Sequence, residues 1–471
     1  MNANLAEKLA NSKNRVYIIA PAGFGKTHLI ASSVQLCSGR QLILTHTYAG
    51  VNSLRNKMSS MGVSPQKYHI ETIAGFSLGV ISSFPVLSGY SGQVLPSGAE
   101  WNNVYTSCSR ALISNQIGAI LKANYDGVFI DEYQDCSKLQ HDLVLKISNF
   151  LPCRILGDPL QGIFNFNDDS VVWDSDIYPF FTCAGELEIP WRWNTPENIE
   201  LGNWLKEVRA HLENPEVPLP KTLPKSVKFI HSDKEKISES QISILYKALK
   251  TDDSVIGIFS GDGRGKNSSH ELSRKLKGNY SSIEEVEGKD LKKFSSEYDR
   301  STTAKQKAIT IVGFLSRFFT NSSPLLTEAN KRGDIAKISS RTKNKEIAEH
   351  FNRYILSQSP NDLFSLIDAI QKSQKVHIYR RDLYYRFLAM IRICIADSDI
   401  SMLGAYTKYH VKFRNSGRPL KLNKIIGTTL LVKGLEYDHA IILNPDALDK
   451  KNFYVAITRG KKTLTLVYPK K

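Results

Sequence analysis

No stretch of the 471 residues approaches the roughly 18 consecutive apolar residues needed to cross a bilayer, and the opening MNANLAEKLANSKN lacks the apolar segment of a secretory signal. The expectation is a soluble cytoplasmic chain with no membrane partner. Six cysteines (Cys37, Cys108, Cys136, Cys153, Cys183, Cys394) lie far apart with no C-x-x-C pair. That spacing argues against a zinc site or a disulfide framework and suits a reducing compartment. No repeat at a fixed period and no low-complexity tract occurs, so a solenoid or a disordered tail is not expected. Acidic residues are the scarce sign: 46 Asp and Glu face 62 Lys and Arg, a net charge of +16. A polyanion is the usual partner of such a field. With 41% apolar and 23% charged residues the composition is globular, and the length calls for two or three domains.

What is present begins with APAGFGKTHLI, residues 20–30, directly after the apolar run Val16–Ile19. Gly23 and Gly25 let the backbone turn its N–H groups toward an anion, Lys26 can reach β- and γ-phosphates, and the Thr27 hydroxyl can ligate Mg²⁺. The strict phosphate-loop pattern wants Gly where Ala20 stands, but a strand-like run before and a helical pattern after supply the required setting. The nucleotide-contacting set in the loop is Ala22, Gly23, Gly25, Lys26, Thr27 and His28.

About 100 residues later, YDGVFIDEYQDCS places Asp131 and Glu132 at the end of an apolar run that reads as a buried parallel strand. Asp131 suits Mg²⁺, and Glu132 suits the orientation and deprotonation of an attacking water. A third block, RILGDPLQGIFNF, repeats the layout. Gln161 there is placed to sense a γ-phosphate, and Phe164 and Phe166 either present rings to bases or belong to the core. From Lys331 to Lys424 there are 19 Lys and Arg against eight Asp and Glu, interleaved with aromatics in HIYRRDLYYRF. Phosphate contacts through Arg380, Arg381 and Arg386 with base stacking are one reading of that stretch. A solvated helix face over packed tyrosines is the other.

The order APAGFGKT, LILTHTYAGVNSLRNKM, HIETIAGFS, VFIDEYQD, LGDPLQGIF, EIPWRWNTPEN, TTLLVKGLEYDHAIIL and NFYVAITRGKKTLTLVY resembles, over residues 16–468, the UvrD/Rep/PcrA group of superfamily-one DNA helicases. The resemblance implies an α/β fold with two RecA-like P-loop domains built on parallel sheets, plus reduced helical insertions, using ATP and Mg²⁺ on single-stranded DNA. It places Trp191 where the family stacks a Tyr on adenine, Arg192 and Arg459 as the two arginines at the γ-phosphate, and Glu436 as the carboxylate near the ribose. Thr45, Thr47, Thr72, Phe76 and Phe164 fall on positions similar to the family's DNA-contacting motifs. A compact chain of this kind also resembles the helicase subunit of Gabija-type antiphage systems, which works beside a nuclease.

Departures from the family pattern carry consequences of their own. No Gln precedes the loop to read adenine, and Thr429–Gly434 (TLLVKG) lacks the His and Ser that would couple DNA to the nucleotide. The room for the insertion called domain 1B is about half the usual length, and the chain stops soon after YVAITRGK, leaving no space for a C-terminal nuclease. The domains expected are 1–182, with a reduced insertion at 84–122 where SSFPVLSGYSGQVLPSGAE (82–100) reads as loop; 183–261 with 421–471; and a basic, largely helical insertion resembling domain 2B at 262–420. The proline-bearing 211–226 is expected as a connector inside the second domain. Three functions stay open: a 3′→5′ translocase or helicase in repair or phage defence, a DNA-stimulated regulatory ATPase that senses DNA ends and controls a partner nuclease, and, more remotely, a small-molecule phosphotransferase.

Overall fold

Short runs of β-branched and apolar residues bounded by Gly, Asp and Thr form two separate parallel sheets in the computed structural model. The structure describes residues 3–92, 96, 98–164, 169–232, 239–260, 263–285, 288–416 and 422–469. Phe166 lies outside them. Among the described residues no helix is long and apolar enough to cross a membrane.

Contacts divide the chain into two units, the first comprising Met1–Pro224 and Lys450–Thr458. Its strands are β1 (Val16–Ile19), β2 (Gln41–Thr45), β3 (Tyr68–Thr72), β4 (Gly127–Ile130), β5 (Cys153–Gly157) and β6 (Thr182–Glu186). They pair in the order β3-β2-β4-β5-β1-β6, all parallel. Every residue of β2, β4 and β5 is buried, as befits strands covered on both faces by helices. Helix starts follow local chemistry: Thr47 and Thr72 accept from the N–H groups of Gly50 and Gly75, and Ser137 forms a capping box with Gln140.

Three expectations change here. Residues 183–224 belong with the first unit, because β6 pairs with β1. The proline-bearing 211–226 therefore spans the division between units at Pro224 and does not lie inside the second one. Within the stretch 82–100 expected as loop lies a short helix, Pro85–Ser88, and after it Glu100–Ala111 and Asn115–Asn124 are helices that bury Val104, Tyr105, Cys108, Ile117 and Leu121 in the core under the first sheet.

The second unit comprises Lys225–Asp449 and Arg459–Lys471. Its strands are β7 (Val227–Ser232), β8 (Val255–Phe259), β9 (Ser281–Ser282), β10 (Lys424–Thr428), β11 (Tyr437–Leu443) and β12 (Gly460–Pro469), parallel in the order β7-β12-β11-β8-β10-β9. The helix Gly263–Lys275 packs on this sheet, so residues 263–282 extend the sheet layer and the helical insertion begins after them. Among the described residues, seven helices between Lys289 and Ser416 then form a body with its own core. Phe294 stacks on Phe314 at 4.2 Å and meets Phe387 edge-on at 5.1 Å.

Candidate nucleotide site

A parallel sheet delivers its loops to the C-terminal edge of its strands, where α/β folds place ligands. The three motif blocks follow β1, β4 and β5, which are neighbours in the sheet. The topology therefore brings the glycine-bearing loop 20–25, the paired carboxylates and the GDPLQ turn to one edge.

At the loop, Gly23 (φ 79°) and Gly25 (φ 91°) adopt left-handed backbone that side chains resist. Space forbids a side chain as well. A Cβ on Gly23 would lie 2.6 Å from the Trp193 ring, and one on Gly25 would lie 3.1 Å from the Trp191 indole. The helix Lys26–Leu36 starts at Gly25, which points its free N–H groups toward the loop. Trp191, expected as an adenine platform, thus sits against Gly25 of this loop, and the Arg192 N–H donates to the Gly23 carbonyl at 2.9 Å. Trp193 was not foreseen as a wall of the loop. Ala22 is buried, while Thr27 and His28 are half-buried on the first turn of the helix, with burial lowering the His28 pKa.

Lys26 Nζ lies 2.9 Å from Asp131 Oδ1 and 2.5 Å from Glu132 Oε1. Burial alone would lower the ammonium pKa, but the two carboxylates outweigh it and hold Lys26 well above its ordinary value. Burial pushes the Asp131 carboxyl up against the pull of that cation. Glu132 has φ 57° and ψ 42°, a left-handed conformation costing a non-glycine residue about 1–3 kcal/mol and typical of functional strain. Its N–H donates to Asp131 Oδ1 at 2.9 Å. Gln161 is buried, with Nε2 donating to Asp158 Oδ2 at 2.9 Å. The Arg192 Nη1 donates to the Thr458 carbonyl at 2.6 Å, and the guanidinium lies over the Trp193 ring.

Sequence reasoning missed the residues behind these. Gln134 and Asp158 stood inside quoted motifs without a role, and Arg209, on the helix Ile199–Glu213, gave no local signal at all. Arg209 Nη1 donates to Asp158 Oδ1 at 2.7 Å and to the Tyr454 hydroxyl at 3.0 Å.

Of the residues expected to contact DNA, Thr47 is exposed at a helix start after β2, and Phe76 and Phe164 are half-buried. Thr72 is buried with its hydroxyl committed to a cap, which corrects its expected DNA contact. Arg380 is corrected too. It is 2% exposed, with Nε and Nη2 donating to the Glu284 carboxylate at 2.6 Å each and Nη2 also to Asp290 at 2.6 Å. Arg386, likewise 2% exposed, forks onto Asp382 and stacks on the Phe413 ring at 4.0 Å. Neither can meet a phosphate without abandoning a buried carboxylate. Tyr379, Tyr384 and Phe387 of the same stretch are buried, so they serve the core and not bases. Arg381 alone of the three arginines is exposed, and its Nη2 donates to the Gly278 carbonyl at 3.2 Å.

In the second unit Glu436 is exposed and paired with Lys461 at 3.2 Å, while Arg459 is buried and donates to the Leu435 carbonyl at 3.2 Å.

Residues 99–171 match the UvrD/REP helicase N-terminal domain. The matched segment includes Asp131, Glu132, Asp158 and Gln161, and it supports a nucleic-acid helicase or translocase of the superfamily-one type. None of the curated proteins matches the chain. Among solved structures, the arterivirus nonstructural protein 10 helicase with DNA aligns at 10% identity and TM-score 0.36, over 98% of this chain and 62% of that one. The Pif1 helicase from Bacteroides with ADP-AlF3 and ssDNA aligns at 12% identity and TM-score 0.28, over 53% of this chain and 57% of that one. The chain thus spans about three fifths of the length of these structures.

Proposed function

We propose that this protein hydrolyses ATP to drive translocation on single-stranded DNA, in the manner of UvrD-like helicases and with the 3′→5′ polarity that the resemblance implies. The observation that carries the hydrolysis is the Lys26–Asp131–Glu132 constellation beside two left-handed glycines and a helix N-terminus. Lys26 would take the β- and γ-phosphates, and the triphosphate would compete with Glu132 for it, releasing that carboxylate to orient and deprotonate water. The Thr27 hydroxyl and the Asp131 carboxylate are hard oxygen donors that fit Mg²⁺, and among the described residues no cluster of three ligating side chains offers a competing cage. When bound with nucleotide, the ion held by these residues would supply positive charge against the developing charge of the transition state. Arg192 and Arg459 would stabilise the transferring phosphoryl group, with Trp191 and Glu436 flanking the nucleoside and Gln161 reading the γ-phosphate. Thr47, Phe76 and Phe164 remain for the DNA track.

A second reading has an observation in its favour. Thr429–Val432, where the family carries its coupling His and Ser, is a short helix with Thr429 and Val432 buried, and two of the three arginines expected to grip DNA are committed elsewhere. A regulatory DNA-stimulated ATPase that controls a partner nuclease, as in phage defence, would need less coupling. Turnover of the purified protein with and without single-stranded DNA, at two salt concentrations, combined with strand displacement, separates the readings. DNA stimulation with displacement supports the motor. Stimulation without displacement supports the regulator, and turnover indifferent to DNA overturns both.

A further inference from the structure

We infer that Gln134 is the positioning residue that holds Glu132 for water activation and ties it to Gln161; this rests on the proposed role of Glu132. The orientation of its amide is not in doubt. The Asp158 backbone N–H lies 2.9 Å from Gln134 Oε1, and since a backbone N–H only donates, the carbonyl end must face it. The NH₂ end therefore faces Glu132, and Nε2 donates to Glu132 Oε2 at 2.5 Å. The side chain is buried and its place is reserved by Gly157, where a Cβ would lie 2.7 Å from Oε1.

Asp158 extends the arrangement. Its backbone fixes Gln134, while its carboxylate accepts from Gln161 Nε2, from the Leu160 N–H at 3.2 Å and from Arg209. One fully buried residue thus sets both side chains placed toward the γ-phosphate: Glu132 through Gln134, and Gln161 directly. Glu132 needs such support, because its left-handed backbone persists only where the surroundings over-determine it. A carboxylate that must first leave Lys26 and then present an oxygen to water is aimed by a donor that keeps its other oxygen. A role of this kind acts on the chemical step and not on nucleotide affinity, since Gln134 contacts neither the loop glycines nor Lys26 in the hydrogen bonds that orient it.

The test is Gln134→Met, which keeps volume and removes both hydrogen bonds. Expected is a fall in kcat of about 10- to 100-fold, with the KM for ATP and the affinity for ADP within about twofold of wild type. In a Glu132→Gln background the same change should cost nothing further, because the residue it positions is already disabled. Should Gln134→Met fail to fold, Gln134→Leu likewise removes the donor to Glu132 without adding charge, with the same readouts. Wild-type kcat in either variant, joint loss of kcat and ADP affinity, or multiplied losses in the double mutant would overturn the inference. Failure of the proposed function is seen separately: Glu132→Gln would then turn over at the wild-type rate, whereas an inactive Glu132→Gln beside an active Gln134→Met sinks only the positioning role.

Discussion

Each unit holds a compact cluster of opposite charges built on a single cation, Lys26 in one and Arg380 in the other, and these two clusters do different things. In the first unit, Lys26 sits between Asp131 and Glu132 at the C-terminal edge of the sheet, beside the left-handed backbone of Glu132. In the second, Arg380 forks onto Glu284 and reaches Asp290, joining the segment after β9 to the helix Lys289–Arg300. Lys26 is a point charge with rotatable donors and can change partners. The guanidinium of Arg380 is matched to its carboxylates in a planar fork, so any other partner must beat a saturated arrangement. Positive charge toward a polyanion is thus a property of exchangeable cations, and a count of Lys and Arg overstates it wherever arginines are spent on internal carboxylates.

The largest break in this comparison should come from the two arginines proposed to act on the γ-phosphate. Arg192→Ala and Arg459→Ala are each expected to lower turnover by about 10³- to 10⁵-fold while ADP affinity holds. Calorimetric titration with ADP checks this, since affinity lost together with turnover marks folding damage. Next comes Glu132→Gln, with a fall of about 10²- to 10⁴-fold and retained nucleotide. Lys26→Ala should lose turnover and triphosphate affinity together, because its ammonium contacts phosphate directly. Filter binding of ATP to both variants distinguishes them.

On the structural side, Arg380→Ala should destabilise the second unit by about 3–5 kcal/mol, since it leaves Glu284 buried without its main partner. Denaturant melts measure this, and a loss under about 1 kcal/mol would mean that the pair is not desolvated as described. Acidification should act through the same pair. Burial alone would raise the Glu284 pKa, but the Arg380 guanidinium holds it below the ordinary 4.5. A depressed carboxylate pKa contributes stability that is complete above pH 4.5 and is lost as pH falls through the lower folded value. Wild type should therefore lose stability steadily below that pH. Glu284→Gln should be less stable at neutral pH and show a flatter acid limb.

How much of this was legible depended on the range of the interactions involved. The strand–loop–helix around Lys26 and the strand ending in Asp131 are local, and their glycine, apolar and acidic spacing states their geometry directly. Residues 183–224 were misplaced because TCAGE has little strand pattern and is made a strand by pairing with β1. The helix Glu100–Ala111 was hidden behind the Gly, Pro and Ser that precede it. Arg380 misled for a third reason, since its partners Glu284 and Asp290 lie 96 and 90 residues away in sequence and a charged residue in a basic stretch reads as solvated. Arg209 and Asp158 are of the same kind.

The smallest expected effect is also the sharpest use of the contrast. If exposure decides which cations meet a polyanion, Arg381→Ala should lower the slope of log affinity against log salt for single-stranded DNA by at most about 0.7, one phosphate contact. Arg380→Ala, in a protein still folded at the temperature used, should leave that slope where it was. Both can be read from fluorescence anisotropy of a labelled oligonucleotide between low and moderate salt. A slope that drops for Arg380 and not for Arg381 would mean that the Glu284 pair opens on binding, making the buried fork a gate for DNA. No change in either variant moves the DNA track to the first unit, around Thr47, Phe76 and Phe164, where the exposed helix start at Thr47 lies on the same sheet edge as the nucleotide motifs.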